Sequence, residues 1–284
     1  MKTQIIVDSS ADLLPQYKAR VYTVPLTVRF DGEEFLDGVT IDHKTFYEKL
    51  VESDTLPTTS QAVPGDFMGV FENVQAGETG AVVITLASKL SGTYQSAMIA
   101  AAEYENIYVV DSGTVTIGGG ILVELALGLS EEGLSAKEIA ERLEEAKKRI
   151  VVVALLDTLE YLKKGGRISK TVAFAGNILN IKPVISVIDG EIHLIGKARG
   201  SKTGNNLLVQ EIEKAGGIDF TKPVLLGYTG LSDSLLRKYI EDSKYIWDQK
   251  LRQVPYTIVG SAIGTHAGPG AIAVAFFKME TSAE

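Results

Sequence analysis

Residues 81–97 read AVVITLASKLSGTYQSA, and the change of character within them decides the class of fold. Residues 81–86 are continuously apolar and rich in β-branched side chains, the pattern of a strand buried on both faces in a parallel sheet. After Lys89 and Leu90 come Ser91, Gly92 and Thr93, then a segment with Tyr94, Ala97, Ala101 and Tyr104 on one helical side. The pattern predicts a helix over 91–105 with Ser91 as its N-cap. A cap serine at the carboxyl end of a buried strand gathers a hydroxyl, free backbone N–H groups and the positive end of a helix dipole, a combination that suits an anion. Gly92 removes the side chain that would keep a ligand off the backbone. A plainer reading stands beside this one, because serine is among the commonest caps and can do nothing more than cap.

The same alternation of strand, polar turn and helix recurs. Residues 4–7 end in Asp8, with a helix expected from near Asp12. Residues 107–110 end in Asp111-Ser112-Gly113-Thr114 before an apolar helix over 115–129. Such repetition predicts a parallel sheet with crossover helices and a ligand crevice outside the carboxyl ends of its strands, so Asp8, Ser91 and Asp111 should share one rim. Between these units, Asp31-Gly32 marks a hairpin over 26–36 and Asp42 caps a helix through Leu50. Residues 56–61 read as an aperiodic polar loop, whose hydroxyls either serve a ligand or satisfy their own backbone. Pro64 opens a further helix to about Val74.

A domain boundary is placed just before the strand at 150–155, giving an N-terminal α/β domain (1–149) and a C-terminal one (150–284). Asp157 is expected to cap a short helix, and residues 163–169 form a tight basic turn leading to a helix through Leu179. A hairpin over 182–197 around Asp189-Gly190 brings antiparallel pairing, so the second sheet should be mixed. Near the end, GTHAGPG (264–270) reads as a glycine-rich loop holding His266.

Composition excludes several functions. At 284 residues, two domains of roughly 140 residues each are expected. A net charge of −8 opposes broad binding to nucleic acid or anionic membrane. The absence of cysteine removes disulfides, thiolate nucleophiles and zinc–thiolate sites, and fits a reducing compartment. No signal-peptide pattern opens the chain, and the apolar stretch 115–129 is shorter than the ~20 residues a membrane span needs, so a cytoplasmic location is expected. Neither a dinucleotide fingerprint nor a Walker motif occurs, and no metal-ligand spacing is found, so no cofactor and no metal are expected.

Of three histidines, His43 and His193 fall at positions that look exposed. The constrained loop around His266 suggests a functional imidazole, able to donate to a carboxylate or to act as a base. A hydrolase of small carboxylic acids or esters built on Ser91, His266 and Asp111 is the alternative function. Its chain order suits an α/β-hydrolase, but the Gly-x-Ser-x-Gly elbow is missing, and no esterase activity is expected.

The motifs VDSSADL (7–13), PTTSQ (57–61), SGTYQSA (91–97), GGRIS (165–169), KPV (182–184) and GTHAGPG (264–270), in this order, resemble the DegV family of bacterial fatty-acid-binding proteins over nearly the whole chain. The resemblance implies a two-domain α/β fold holding one long-chain fatty acid between the domains. By that likeness Thr59 and Ser91 contact the carboxylate, His266 belongs to the same hydrogen-bond network, and Ser60 and Gly92 are neighbours. The apolar helix 115–129 and the stretch 174–181 would wall the tunnel. Family members in fatty-acid activation resemble non-catalytic carriers, whose bound acid a separate fatty acid kinase converts to an acyl phosphate for phospholipid synthesis. At most transient membrane contact is implied. The basic residues Arg167, Lys170, Arg199 and Lys202 could then steer the acidic surface of such a kinase, or be no more than solvated surface charges.

Overall fold

The computed structural model describes residues 2–53, 55–77, 79–168 and 181–280. In chain order the first half comprises β1 (Gln4–Asp8), α1 (Pro15–Lys18), β2 (Tyr22–Val24), β3 (Thr27–Phe30), β4 (Glu33–Leu36), α2 (His43–Glu52) and β5 (Thr58–Ser60). Then come α3 (Pro64–Ala76), β6 (Ala81–Thr85), α4 (Thr93–Ala101), β7 (Ile107–Asp111), α5 (Ile117–Glu131) and α6 (Ala136–Ala146), closed by a single 3-10 turn (Lys147–Arg149). The second half contains β8 (Ile150–Leu155), α7 (Glu160–Lys164), β9 (Ile181–Ile188), β10 (Glu191–Arg199), α8 (Gly200–Lys214) and β11 (Val224–Tyr228). It ends with α9 (Ser234–Asp242), α10 (Lys244–Trp247), β12 (Tyr256–Ile258), α11 (Ser261–Ala267) and β13 (Ile272–Phe277).

Strands β2, β1, β6 and β7, in that order, form an all-parallel sheet, as the unbroken apolar run of β6 requires. One face carries α3 and α4 through Phe67, Phe71 and Ala97; the other carries α5 and α6 through Leu122, Val123 and Leu143. The second sheet, in the order β10-β9-β8-β13-β11-β12, is antiparallel except for its β11–β12 pair. The expected α/β architecture, a parallel N-terminal sheet and a mixed C-terminal one, is therefore present. Both Asp-Gly turns form with positive φ at Asp31, Gly32, Asp189 and Gly190, as two-residue hairpins demand.

Helix α5 lies between the two sheets. A Cβ on Gly118 would fall 2.6 Å from Val152, and one on Gly120 would fall 2.2 Å from the Asp12 carbonyl. The triple glycine thus brings one helix against two neighbours at once. Among the described residues no helix is long and apolar enough to cross a membrane.

Five local expectations are corrected. Asp12 starts no helix; its buried carboxylate accepts from the Thr116 hydroxyl and the Gly260 N–H, and α1 begins at Pro15. Residues 58–60 are not loop but the strand β5, paired with β3. A three-residue polar strand has no periodicity of its own and exists because β3 offers it a ladder. Asp157 caps nothing; it pairs with Lys182 at 2.6 Å, and the Thr158 hydroxyl accepts from the Glu160 N–H instead. His43 is half-buried rather than exposed, because Gly260 sits against its ring. His266 stands on helix α11, not on a loop. Gly264 is there because a Cβ would meet the Tyr47 hydroxyl at 2.6 Å, and Gly268, at φ 70°, ends the helix. The helix expected to run through Leu179 lies outside the described residues.

Candidate functional site

A single cavity collects most of the residues singled out in the sequence. It runs between the two sheets, and its whole space, open mouth and adjoining solvent included, is about 940 Å³. The floor is one face of the mixed sheet: Val152, Ala154 and Leu156 of β8 and its end, Ile185 and Val187 of β9, and Ala271 and Ala273 at β13. Ala154 and Ala273 are cross-strand partners, so two small side chains leave a trough where larger ones would close it. Leu86, Leu90, Val115 and Thr116, at the carboxyl ends of the parallel strands, form the opposite wall. Of the apolar stretch 115–129, only Val115 and Thr116 reach the cavity wall. The rest is core between the sheets, and most of the expected wall at 174–181 lies outside the described residues.

One end is polar. Thr59, Ser60, Gln61, Ser91, Arg167 and His266 line it. Strand β5 brings in Thr59 and Ser60, the β6–α4 connection brings Ser91, and α11 brings His266. The Thr59 Oγ1 lies 2.9 Å from His266 Nε2. His266 Nδ1 is buried, pressed by the Gly165 backbone, with no hydrogen-bond partner among the described residues. A buried N–H without an acceptor costs more than a bare lone pair, so the proton belongs on Nε2. Nε2–H then donates to Thr59, and the threonine hydroxyl proton is free to turn into the cavity.

Ser91 does not occupy the N-cap position. Gly92, already near helical at φ −74° and ψ 4°, takes it, and α4 starts at Thr93. The Ser91 Oγ instead accepts from the Thr93 N–H at 3.3 Å and shares a 2.9 Å hydrogen bond with the Thr93 hydroxyl. Gly92 stands behind the cavity wall: a Cβ there would lie 2.2 Å from Gln61 Oε1, so this glycine makes room for Gln61. Gln61 donates on to Ser96 at 3.1 Å.

Among the four basic residues, Arg167 lines the cavity, its Nε donating to the Leu90 carbonyl and Nη1 to that of Gly165. Arg199 and Lys202 are exposed where β10 passes into α8. Lys170 lies outside the described residues. The residues of the hydrolase alternative are engaged separately: Asp111 accepts from the Ser88 and Gly113 N–H groups, while His266 bonds Thr59. Among the described residues no group of three His, Cys, Asp or Glu side chains could hold a metal ion.

Burial, and then the positive charge of Arg167, pull the His266 pKa from 6.5 down to about 4. The imidazole therefore stays neutral in the folded protein at pH values where the unfolded chain takes up a proton. Its contribution to stability is full above about pH 6.5 and is lost as pH falls toward about 4. Relative to His266→Gln, the wild type is expected to lose about 2 kcal/mol of unfolding free energy between pH 7 and pH 5, read from urea unfolding. A pH-independent difference would contradict the buried neutral imidazole.

Sequence reading missed Gln61 and Gly165 as parts of this site, and placed Arg167 on an outer surface. The glycine pair before Arg167 was the available signal, since one glycine suffices to end a helix.

A family model described as an uncharacterised protein of the DegV family matches residues 2–279. A DegV domain-containing protein of Caldanaerobacter subterraneus subsp. tengcongensis is 38% identical over 287 residues, covering 97% of this chain and 98% of that protein. The solved structure of a DegV family protein from Thermus thermophilus, described by its fatty acid binding, matches with a TM-score of 0.87 at 29% identity, over 98% of this chain and 100% of that one. A stearic acid-binding protein from Eubacterium ventriosum matches with a TM-score of 0.84 at 28% identity, over 97% and 98% of the two chains.

Proposed function

This chain belongs to the DegV family, and on that premise we propose that it carries one long-chain fatty acid between its two domains, 1–149 and 150–284. The observation that carries the reading is the cavity itself, an apolar trough ending in the Thr59–His266 pair and Ser91. An unbranched acyl chain matches the trough, and at about 0.8 kcal/mol per buried methylene it supplies most of the affinity. The hydroxyls of Thr59 and Ser91 donate to the carboxylate, with Ser60 beside them and Gly92 behind the wall, where it admits Gln61. Neutral His266 acts through Thr59, holding its oxygen so that the hydroxyl proton points at the ligand.

The chain has no nucleotide motif, so conversion of the bound carboxylate to an acyl phosphate falls to a separate kinase, with this protein as its non-catalytic carrier. Exposed Arg199 and Lys202, with Lys170, are the proposed docking charges. In an acidic protein they would steer a partner of opposite sign.

The reading is tested by comparing a long-chain acid with its methyl ester in a direct binding titration. The acid is expected to bind at least tenfold more tightly, because the ester loses the charge that the hydroxyls address. Equal binding of the two would remove the head-group assignment. With a fatty acid kinase and ATP, Arg199→Ala should slow acyl phosphate formation and weaken its salt dependence; an unchanged rate would end the docking proposal.

A further inference from the structure

Helix α11, which carries His266, is held at its start from far along the chain. The Gly260 N–H donates to Asp12 Oδ1 at 2.7 Å, and the Ser261 N–H donates to Asp37 Oδ1 at 2.9 Å. Both acids are almost wholly buried. Their second oxygens are also engaged. Asp12 Oδ2 accepts from the Thr116 hydroxyl at 2.5 Å, and Asp37 Oδ2 accepts from the Ser9 hydroxyl at 3.0 Å. Thr116 lines the cavity and sits at φ 54°, ψ −129°, a conformation a β-branched residue rarely adopts. Strain of this kind persists only where surrounding contacts fix it, and here the Thr116 carbonyl also accepts from the Asp12 N–H. Asp12 thus joins one wall of the cavity to the helix that supplies its polar end.

We infer that Asp12 and Asp37 are positioning residues for the polar end of the cavity: by holding the start of α11 they set where His266 meets Thr59. The rest of α11 leaves little slack. Gly264 lies against Tyr47, whose hydroxyl donates to the Val259 carbonyl, and Gly268 lies against the Tyr161 ring. A displaced start is therefore transmitted to His266 rather than absorbed within the helix. Neither carboxylate lines the cavity. The consequence for fatty-acid binding rests on the function proposed above, whereas the placement of His266 does not.

The charged and titratable groups around the tie are Asp8, Lys18, His43 and Tyr47; Arg167 faces His266 itself. The test is an NMR titration of the His266 ring in lipid-free protein, for the wild type and for Asp12→Ala, Asp12→Asn and Asp37→Ala. In the wild type the ring should titrate near 4. In Asp12→Ala the midpoint should rise toward 6.5, because the ring leaves its buried place beside Thr59. Asp12→Asn keeps an oxygen for Gly260 and should recover most of the wild-type value. If Asp12→Ala does not fold, Asp37→Ala, which leaves the Ser261 N–H without its acceptor, carries the test and should raise the midpoint measurably. Wild-type titration in every folded variant would overturn the inference. Should the midpoint rise while no variant or wild type binds a fatty acid, the positioning role stands and the ligand assignment falls.

Discussion

Ala273→Phe is expected to fold and to hold no long-chain fatty acid. Ala273 lies opposite Ala154 across the β8–β13 pair, and both side chains face the trough. A phenyl ring at this place enters open space rather than a filled core, so the overpacking penalty that usually follows such a change is small. The ligand bears the cost instead. Losing room for about four methylenes removes about 3 kcal/mol, more than a hundredfold in Kd. Short acids, whose tails stop before residue 273, should lose much less. A titration of acids of increasing length against wild type and variant checks this, and unchanged affinity for the long acids would place the chain elsewhere.

The second large effect belongs to the head group. Thr59→Val and Ser91→Ala each remove one of the hydroxyls proposed to donate to the carboxylate, an interaction worth about 1.5–3 kcal/mol, or roughly 10- to 150-fold. Thr59→Val also leaves Nε2–H of His266 without its acceptor, which adds to the loss. In both variants the tail contacts remain, so the acid should still bind, exchange faster, and prefer the free acid over its ester less strongly. Thr59→Ser keeps the hydroxyl and should recover most of the affinity. Identical exchange rates in wild type and both variants would show that these hydroxyls do not touch the ligand.

Much of the fold was legible because its signals are local. The β6 run, the two Asp-Gly hairpins and the Asp42 cap each rest on a few adjacent residues whose chemistry leaves little choice. What could not be read depends on partners far along the chain. Strand β5 exists through its pairing with β3, some thirty residues earlier. Asp12, which resembles a helix start, is instead satisfied by Gly260, 248 residues away. The glycines around His266 suggested a loop, yet Gly264 serves a helix packed on Tyr47, and positive φ is confined to Gly268 and Gly270 in that stretch.

The candidate site was legible in part, Ser91 and His266 from their local setting and Thr59 and Ser60 only through the resemblance. Thr59, Ser60, Ser91 and His266 are brought together at one end of the cavity. Gly92 and Gly165 act one step back, the first by admitting Gln61 and the second by admitting the His266 ring. A glycine that yields space to a distant side chain leaves no trace in its own neighbourhood, whereas a turn glycine is announced by the residues beside it.

The most direct measurement is to purify the protein, denature it in organic solvent and identify by mass spectrometry what is released, before and after incubation with a mixture of fatty acids. The account predicts close to one long-chain fatty acid per chain from the wild type, and none from Ala273→Phe. No fatty acid from the wild type, even after incubation, would contradict it.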